Sequence, residues 1–262
     1  MNKKKIRVAV LFGGVSSEHE ISLMSVQSVL RNMPEDYEVL TIGITKDGRW
    51  VEYTGSIDEI TDQKWEQDQN LRTAVVSPDR SHKGILLIDK DQVTVVPVDI
   101  CFPVLHGKHG EDGTIQGLFQ LAGIPFVGCN MISSANCMDK EMTHTILEAN
   151  GIKMAKWVIV NGEKMNDFEN FAKDAEEKLG YPMFVKPANA GSSVGVGKAH
   201  NREELKSACE TALKEDYKAV VEECIEMQEV ETAVLGNGDP KAAGVVGELV
   251  PVVEFYTYEA KY

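Results

Sequence analysis

The sequence lacks paired cysteines and long apolar runs. None of its five cysteines sits in a CxxC or other metal-ligand spacing; they are Cys101, Cys129, Cys137, Cys209 and Cys224. This scatter is typical of buried thiols in a reducing compartment. No apolar run approaches transmembrane length, and the apolar stretch behind the basic start, residues 1–5, is too short for a secretion signal. The sequence therefore predicts a cytoplasmic protein.

Positive charge is also scarce, because 27 Lys and Arg face 41 Asp and Glu, for a net charge of −14. Nucleic acids and anionic membranes bind basic protein surfaces, so neither is expected as a main partner. No GxGxxG motif follows the first apolar strand, which argues against a nicotinamide-dependent dehydrogenase. What remains is an acidic globular protein of 262 residues, long enough for about two domains.

The most informative segment that is present runs from Val185 to Gly197, with the sequence VKPANAGSSVGVG. An apolar strand carries a lysine at its end and continues into a loop of small residues. Backbone N–H groups in such a loop can point at an anion while the lysine supplies a full charge. The segment favours phosphate binding, with a plain glycine-rich hairpin as the alternative.

The first half of the chain alternates strands and helices in the manner of a doubly wound, Rossmann-like α/β domain. Ser16 and Ser17 are N-cap candidates for the first helix, His19 and Glu20 are expected on its surface, and residues 54–82 are expected to be loop with short helix. Strands are predicted over 7–12, 37–44, 85–88, 93–96, 99–105 and 124–127, and helices over 21–31 and 114–121.

The alternation restarts in the second half, with the glycine loop flanked by an antiparallel strand pair. Domain boundaries are expected to give 1–128, 129–229 and 230–262. Helices are predicted over 140–149, 168–179 and 202–214, and strands over 157–160, 184–186, 194–198, 219–222, 229–235 and 244–253.

Five motifs occur in an order that resembles D-alanine–D-alanine ligase, a family of the ATP-grasp fold. They are Gly13-Gly14 with Ser17–Ser22, Leu105-His106-Gly107 with Gly110–Gly113, Met138-Asp139-Lys140, Lys186-Pro187 with Gly191–Gly195, and Phe255–Tyr262. The resemblance implies an N-terminal pre-ATP-grasp domain, a central ATP-grasp domain and the start of a third domain. It also implies ATP and Mg²⁺ as cofactors, two molecules of D-alanine as substrates and a possible homodimer.

The resemblance implies a reaction as well. ATP phosphorylates the carboxylate of the first D-alanine, and the amine of the second attacks the acyl phosphate to form D-alanyl-D-alanine for peptidoglycan precursors. Family members are about 100 residues longer, and their magnesium ligands lie in that further segment. The same segment holds an arginine in the family, and no arginine follows Arg202 here. Because the family's magnesium ligands match no position up to Tyr262, no metal ligand is assigned in this chain. The 262-residue chain is expected to fold in its first two domains and to have little or no ligase activity.

By the same resemblance, phosphates contact Lys140, Lys186 and the loop residues Gly191 and Ser193, and Lys261 reaches the γ-phosphate. Glu222, Glu223 and Ile225 surround adenine, partly through backbone groups, and Glu229 accepts the ribose hydroxyls. The alternative for the lysines is that both are ordinary surface residues. The alternative for the acids is an ordinary acidic stretch, since residues 222–231 hold five glutamates.

On the substrate side, the resemblance implies that Glu18 binds the ammonium group of the first D-alanine, that Ser192 bonds Glu18 and Tyr262, and that His106 lies near the transferred phosphate. The alternatives are a helix N-terminal acid, a turn-capping serine and a structural histidine. Glu111 and Asp112 are predicted to shape the loop after His106. A D-alanine–D-serine ligase of the vancomycin-resistance type and an inactive ATP-binding fragment remain open.

Overall fold

A computed structural model describes residues 5–250 of the chain. The residues up to 143 form one compact unit and those from 144 form a second, and each is described by itself. The α/β class predicted from the sequence is confirmed, with parallel and antiparallel strands in the first unit. Within residues 5–250, no helix is long and apolar enough to cross a membrane.

The first unit is built on a seven-stranded sheet with the strand order β6-β5-β4-β3-β2-β1-β7. Its strands are β1 (Ile6–Gly13), β2 (Tyr37–Ile44), β3 (Trp50–Glu52), β4 (Thr73–Val76), β5 (Gly84–Asp89), β6 (Gln92–Pro97) and β7 (Ile100–Val104). Its helices are α1 (His19–Arg31), two 3₁₀ helices (Ile57–Asp62 and Lys64–Gln67), α2 (Thr114–Ala122), α3 (Met131–Met138) and the start of α4 (Lys140–Ala149), which crosses residue 143.

Strand β1 lies between β2 and β7 and runs parallel to both. Alternate residues enter two hydrophobic clusters, with Ala9 and Leu11 in one and Val8, Val10 and Phe12 in the other. A strand covered on both faces reads as a continuous apolar run rather than an alternation. This explains why the sequence RVAVLF predicted a buried parallel strand.

Several predictions for the first unit need correction. Residues 54–82 also contain β4, which is only four residues long, and β3 precedes them unpredicted. The strand predicted over 124–127 is a single bridge between Cys101 and Phe126. Helix α3, which is only eight residues long, was not predicted. These segments are short, so their periodicity is weak and tertiary pairing determines their structure.

The second unit contains a four-stranded antiparallel sheet with the order β10-β9-β11-β8. Its strands are β8 (Trp157–Asn161), β9 (Met183–Pro187), β10 (Gly197–Ala199) and β11 (Lys218–Glu223), followed by two small pairs from β12 (Glu229–Glu231), β13 (Val234–Leu235), β14 (Lys241–Ala242) and β15 (Gly247–Leu249). Its helices are the rest of α4, α5 (Gly162–Asn166), α6 (Phe168–Leu179) and α7 (Arg202–Glu215).

One face of this sheet packs on α6 and α7. Met183, Val185, Ala219 and Val221 point to that side and share a core with Leu205 and other helix residues. Because side chains alternate along a strand, Phe184, Lys186, Val220 and Glu222 belong to the opposite face. The alternation therefore separates the core of this unit from a face that carries charge.

In the second unit, helix α5 was not predicted, and three predicted strands differ from the structure by more than one residue at an end. The strand after the glycine loop begins at Gly197 rather than 194, because residues 191–196 are used in turns. The strand predicted over 229–235 is broken into β12 and β13. Of the strand predicted over 244–253, the described part forms only β15, and residues 251–253 lie outside the described range.

Burial of the thiols of Cys101 and Cys209 predicts that the protein is less stable at alkaline pH. Burial raises the pKa of both thiols from 9.0 to about 12. The unfolded chain loses these protons above about pH 9, whereas the folded protein keeps them until about pH 12, so stability falls as pH rises through this window. Urea unfolding is expected to show a loss of about 2 kcal/mol per thiol between about pH 9 and pH 10.5.

The C101A and C209A variants are expected to show a shallower fall with pH, whatever their stability at neutral pH. The prediction of buried thiols is wrong for Cys129 and Cys137, which are both exposed. C129A therefore serves as the control and should keep the wild-type slope. Equal slopes in all four proteins would contradict the prediction.

Candidate functional site

The first candidate site lies where β1 and β7 end. These parallel neighbours pair up to Phe12 and Val104, so the loops that follow them emerge at the same edge of the sheet. The hydroxyl of Ser22 ties the two strand ends together, since it accepts from the N–H of Gly13 (2.7 Å) and donates to the carbonyl of Val104. In sheets of this type, ligands bind at the carboxyl ends of the strands.

Glu18 occupies this edge as the residue before α1. It is 5% exposed, and its backbone N–H donates to the hydroxyl of Ser16 (3.0 Å). The predicted serine N-cap is therefore wrong: Ser16 holds the loop, while Glu18 is the N-cap residue and makes no side-chain cap bond. Gly107 approaches the Glu18 carboxylate so closely that a Cβ there would lie 2.4 Å from Oε2.

His19 is not on the helix surface as predicted but fully buried. Its Nδ1 lies 2.6 Å from the carbonyl oxygen of Gly14, and its Nε2 lies 3.1 Å from the carboxylate of Glu66. The ring thus joins the loop after β1 to the second 3₁₀ helix. Glu20 does lie at the surface, paired with Lys46.

His106 follows β7 and is bonded to α1, because its Nε2 lies 2.9 Å from the hydroxyl of Ser25. The loop after it is shaped by two acids, as predicted. Glu111 accepts from the N–H of Gly107 (2.8 Å), and Asp112 accepts from the N–H groups of His109 and Thr114. Burial alone would raise the pKa of Asp112, but these hydrogen bonds outweigh it and lower the pKa.

A cavity of about 390 Å³ opens at this edge. Its lining includes Gly14, Val15, Leu105, His106 and Lys108. A larger cavity of about 760 Å³ lies at the other end of β1, around Ile6 and Val8. The smaller cavity is the candidate site, because it lies at the carboxyl ends of the strands and His106 and Lys108 line it. Glu18 belongs to the same edge but does not line the cavity.

The second candidate site lies on the charged face of the four-stranded sheet. The Nζ of Lys186 on β9 lies 2.5 Å from Oε2 of Glu222 on β11, and Glu222 is 7% exposed. The other carboxylate oxygen, Oε1, lies 3.3 Å from Nε2 of His144 on α4. Trp157 and Phe184 are the register partners of Glu222 on either side. Cations, an acceptor and aromatic rings thus share one surface.

The glycine loop next to this face has an unusual backbone. Ser192 and Ser193 have φ values of 45° and 60°, and Gly195 has 68°. Two hydrogen bonds close successive turns, from Val194 N–H to the carbonyl of Gly191 and from Val196 N–H to that of Ser193. Left-handed conformations at residues other than glycine are costly, and they concentrate at functional sites.

The other residues predicted for the site are placed as follows. Lys140 is the first residue of α4, and Asp139 before it accepts from the N–H of Glu141 (3.0 Å). Glu223 points away from Glu222 and accepts from the N–H of Lys156 (2.8 Å). Ile225 is exposed, and Glu229 begins β12 half-buried. Lys261 and Tyr262 lie outside the described residues.

No group of three or more His, Cys, Asp or Glu side chains suited to a metal ion occurs in residues 5–250. Magnesium ligands were predicted in a segment beyond Tyr262, and that prediction stays untested. The described residues do suit a nucleotide, because Lys186 can pair with phosphate and Glu222 can accept from an amino group.

Sequence reasoning missed His144 and Trp157 at this face. The ring centroids of the two residues are 5.4 Å apart, with the rings at 69°. The one available signal was spacing, since His144 follows Lys140 by four residues and so shares its side of the helix. Nothing in the sequence marks Trp157, which reaches the site through its register with Glu222.

Two family models cover most of the chain. The model described as "D-ala D-ala ligase N-terminus" matches residues 7–129, and the one described as "D-ala D-ala ligase C-terminus" matches residues 146–262. The D-alanine–D-alanine ligase of Clostridium acetobutylicum is 50% identical over 260 residues, which is 98% of this chain and 72% of that protein.

Solved structures are similar as well. The VanG D-Ala:D-Ser ligase of Enterococcus faecalis is 43% identical with a TM-score of 0.86, over 98% of this chain and 74% of that one. The D-alanine–D-alanine ligase of Bacillus anthracis in complex with ATP is 28% identical with a TM-score of 0.61, over 95% of this chain and 71% of that one. The ranges matched by the family models include Glu18, His106, Lys186 and Glu222, whereas Lys140 and His144 lie between the two ranges.

Proposed function

The chain belongs to the D-alanine–D-alanine ligase family, and from this we propose that it takes part in the ATP-dependent joining of two D-alanine molecules for peptidoglycan synthesis. The observation that carries the proposal is the Lys186–Glu222 pair on the charged face of the four-stranded sheet. A cation beside a buried acceptor suits a nucleotide, and the relative from Bacillus anthracis was solved with ATP.

In the proposed reaction, the carboxylate of the first D-alanine attacks the γ-phosphorus of ATP and ADP leaves. The amine of the second D-alanine then attacks the acyl carbon, and inorganic phosphate leaves. Lys186 and Lys140 balance phosphate charge, with the Gly191–Ser193 loop contributing backbone N–H groups. Glu222 accepts from the amino group of adenine, and Glu229 accepts from the ribose hydroxyls.

At the first site, we propose that Glu18 binds the ammonium group of the first D-alanine. The carboxylate is shielded from water, which strengthens a charge-assisted hydrogen bond. His106, held by Ser25, contributes a ring N–H toward the developing phosphate charge. The substrate-side roles of Ser192, Lys261 and Tyr262 implied by the family resemblance stay predictions. Division into 1–128, 129–229 and 230–262, a cytoplasmic location and a homodimer are also proposals.

The second substrate has one alternative with a specific observation behind it. The VanG structure, at 43% identity, is titled a D-Ala:D-Ser ligase. The curated relatives at 50% identity are D-alanine–D-alanine ligases. We favour D-alanine, and D-serine is the substrate to compare.

The test is release of phosphate from MgATP in the presence of D-alanine. It uses the 262-residue chain and the same chain joined to the C-terminal segment of the Clostridium acetobutylicum ligase. D-alanine-dependent release by the extended chain is the expected result. Release that needs D-serine would establish the alternative, and no release with either amino acid would refute the ligase proposal.

The role of Glu18 predicts the effect of E18Q in the same assay. We expect KM for D-alanine to rise about tenfold or more, because a neutral amide binds an ammonium group more weakly than a carboxylate does. KM for ATP should stay near the wild-type value. Glu20 lies two residues away at the surface, so E20Q is the matched control. Equal behaviour of the two variants would count against the assignment.

A further inference from the structure

We infer that His144 is a positioning residue that sets the orientation of the Glu222 carboxylate for the purine base, and so contributes to the choice of ATP over nucleotides with a 6-oxo base. The inference deepens the proposed function and rests on it. It is carried by the contacts of Lys186 and His144 with the buried Glu222 carboxylate, and by the ring contact of His144 with Trp157. All four residues lie in the second unit.

The first step is that the two oxygens of Glu222 have different partners. Lys186 Nζ lies 2.5 Å from Oε2, and His144 Nε2 lies 3.3 Å from Oε1. The His144–Glu222 distance is that of an ion pair. Because an ionised carboxylate can only accept hydrogen bonds, the inference requires Nε2 of His144 to carry a proton. A carboxylate has about four acceptor positions, so its two partners leave about two for a ligand.

The second step concerns rotation. The terminal torsion of a glutamate is broad and roughly two-fold, so a single partner leaves the carboxylate able to turn. A second partner on the other oxygen fixes its plane. Without His144, we expect Glu222 to turn both oxygens toward the Lys186 ammonium, which would reorient the acceptor offered to a planar base.

The third step is that His144 is itself held in place. Its ring meets the ring of Trp157 edge to face, with centroids 5.4 Å apart. Trp157 on β8 lies directly opposite Glu222 on β11. The imidazole is therefore anchored to the same row of the sheet as the carboxylate it contacts, which gives it little freedom to follow a rotation of Glu222.

The fourth step links orientation to specificity. Adenine presents an amino group at its 6-position, whereas hypoxanthine presents a carbonyl oxygen there. A correctly oriented carboxylate accepts from the amino group and repels the carbonyl. Because such discrimination depends on pairing buried polar groups, a misoriented carboxylate loses it. Replacement of His144 should therefore weaken the binding of ATP more than the binding of ITP.

The experiment measures the dissociation constants of MgATP and MgITP by calorimetry for the 262-residue chain and its variants. H144F keeps a ring against Trp157 but has no donor, and we expect ATP binding about tenfold weaker with ITP binding within about twofold of wild type. H144Q restores an amide donor at the position of Nε2 and should regain most of the selectivity. H200F is the matched control, since His200 pairs with Glu204 elsewhere in the same unit.

The outcomes separate this inference from the proposed function. Selectivity that falls in both E222Q and H144F, but not in H144Q or H200F, supports the inference. Selectivity that falls in E222Q and stays unchanged in H144F overturns the inference and leaves the nucleotide role of Glu222 standing. A wild-type chain that binds neither nucleotide, or binds both equally, overturns the inference, and turnover of the extended chain then decides the ligase proposal separately. If H144F does not fold, H144Q against H144A gives the same comparison.

Discussion

The G13A variant is expected to lose about 4 kcal/mol of unfolding free energy, a value reserved for severe structural conflicts. Gly13 ends β1 with a φ of +88°, and a Cβ there would lie 2.1 Å from the carbonyl oxygen of Ile44. That oxygen belongs to the backbone of the adjacent strand and accepts from the N–H of Gly14 (2.8 Å). Neither strand can move without breaking the sheet, so the strain has no easy release.

The control for G13A is G14A, in the next residue. Gly14 has a φ of +101°, but the nearest atom to an added Cβ is a side-chain carbon of Leu105 at 3.8 Å. G14A therefore has the backbone strain without the collision, and we expect a loss of about 1–2 kcal/mol. Urea unfolding of both variants measures the difference. Equal losses would show that the approach of Ile44 is not what requires glycine at position 13.

The K186M variant is expected to weaken binding of MgATP about 100-fold, because charged hydrogen bonds contribute about 1.5–3 kcal/mol each. Methionine keeps much of the apolar stem of the lysine, whose ammonium lies 5.8 Å from the centre of the Phe184 ring. The variant removes the charge that pairs with Glu222 and that we assign to phosphate. Calorimetry on the chain, and turnover in the extended chain, measure the effect.

K206M is the control for K186M. The ammonium of Lys206 also lies over a ring, 5.9 Å from the centre of Phe168 in the same unit, but it lies on the helix side of the sheet, on α7. The K206M variant should bind MgATP as tightly as the wild-type chain does. Thermal unfolding must accompany both measurements, since K186M leaves a buried glutamate with one fewer cation. Loss of binding that only follows loss of folding would remove Lys186 from the site.

Comparison of sequence and structure shows which elements local information determines. Tyr37–Ile44, Lys140–Ala149 and Phe168–Leu179 have the predicted bounds. Each is eight or more residues long with a clear apolar pattern, and such a pattern reflects neighbours along the chain. The short strands β3 and β4 and the eight-residue helix α3 were missed, because so few residues carry little periodicity. The strands also depend on pairing partners elsewhere in the sheet.

The sequence by itself determined the α/β class, the long helices and strands, and the family. It also predicted Glu18, Lys186 and Glu222 as site residues, and these roles remain proposals. Only the tertiary structure decided their partners. Lys186 meets Glu222 across 36 positions, and His19 meets Glu66 across 47. Such pairings depend on strand register and on loops that bring distant segments together. The periodicity of the sequence does not specify strand register or loop paths. The burial of His19 and the contact of His144 with Glu222 therefore could not be predicted from it.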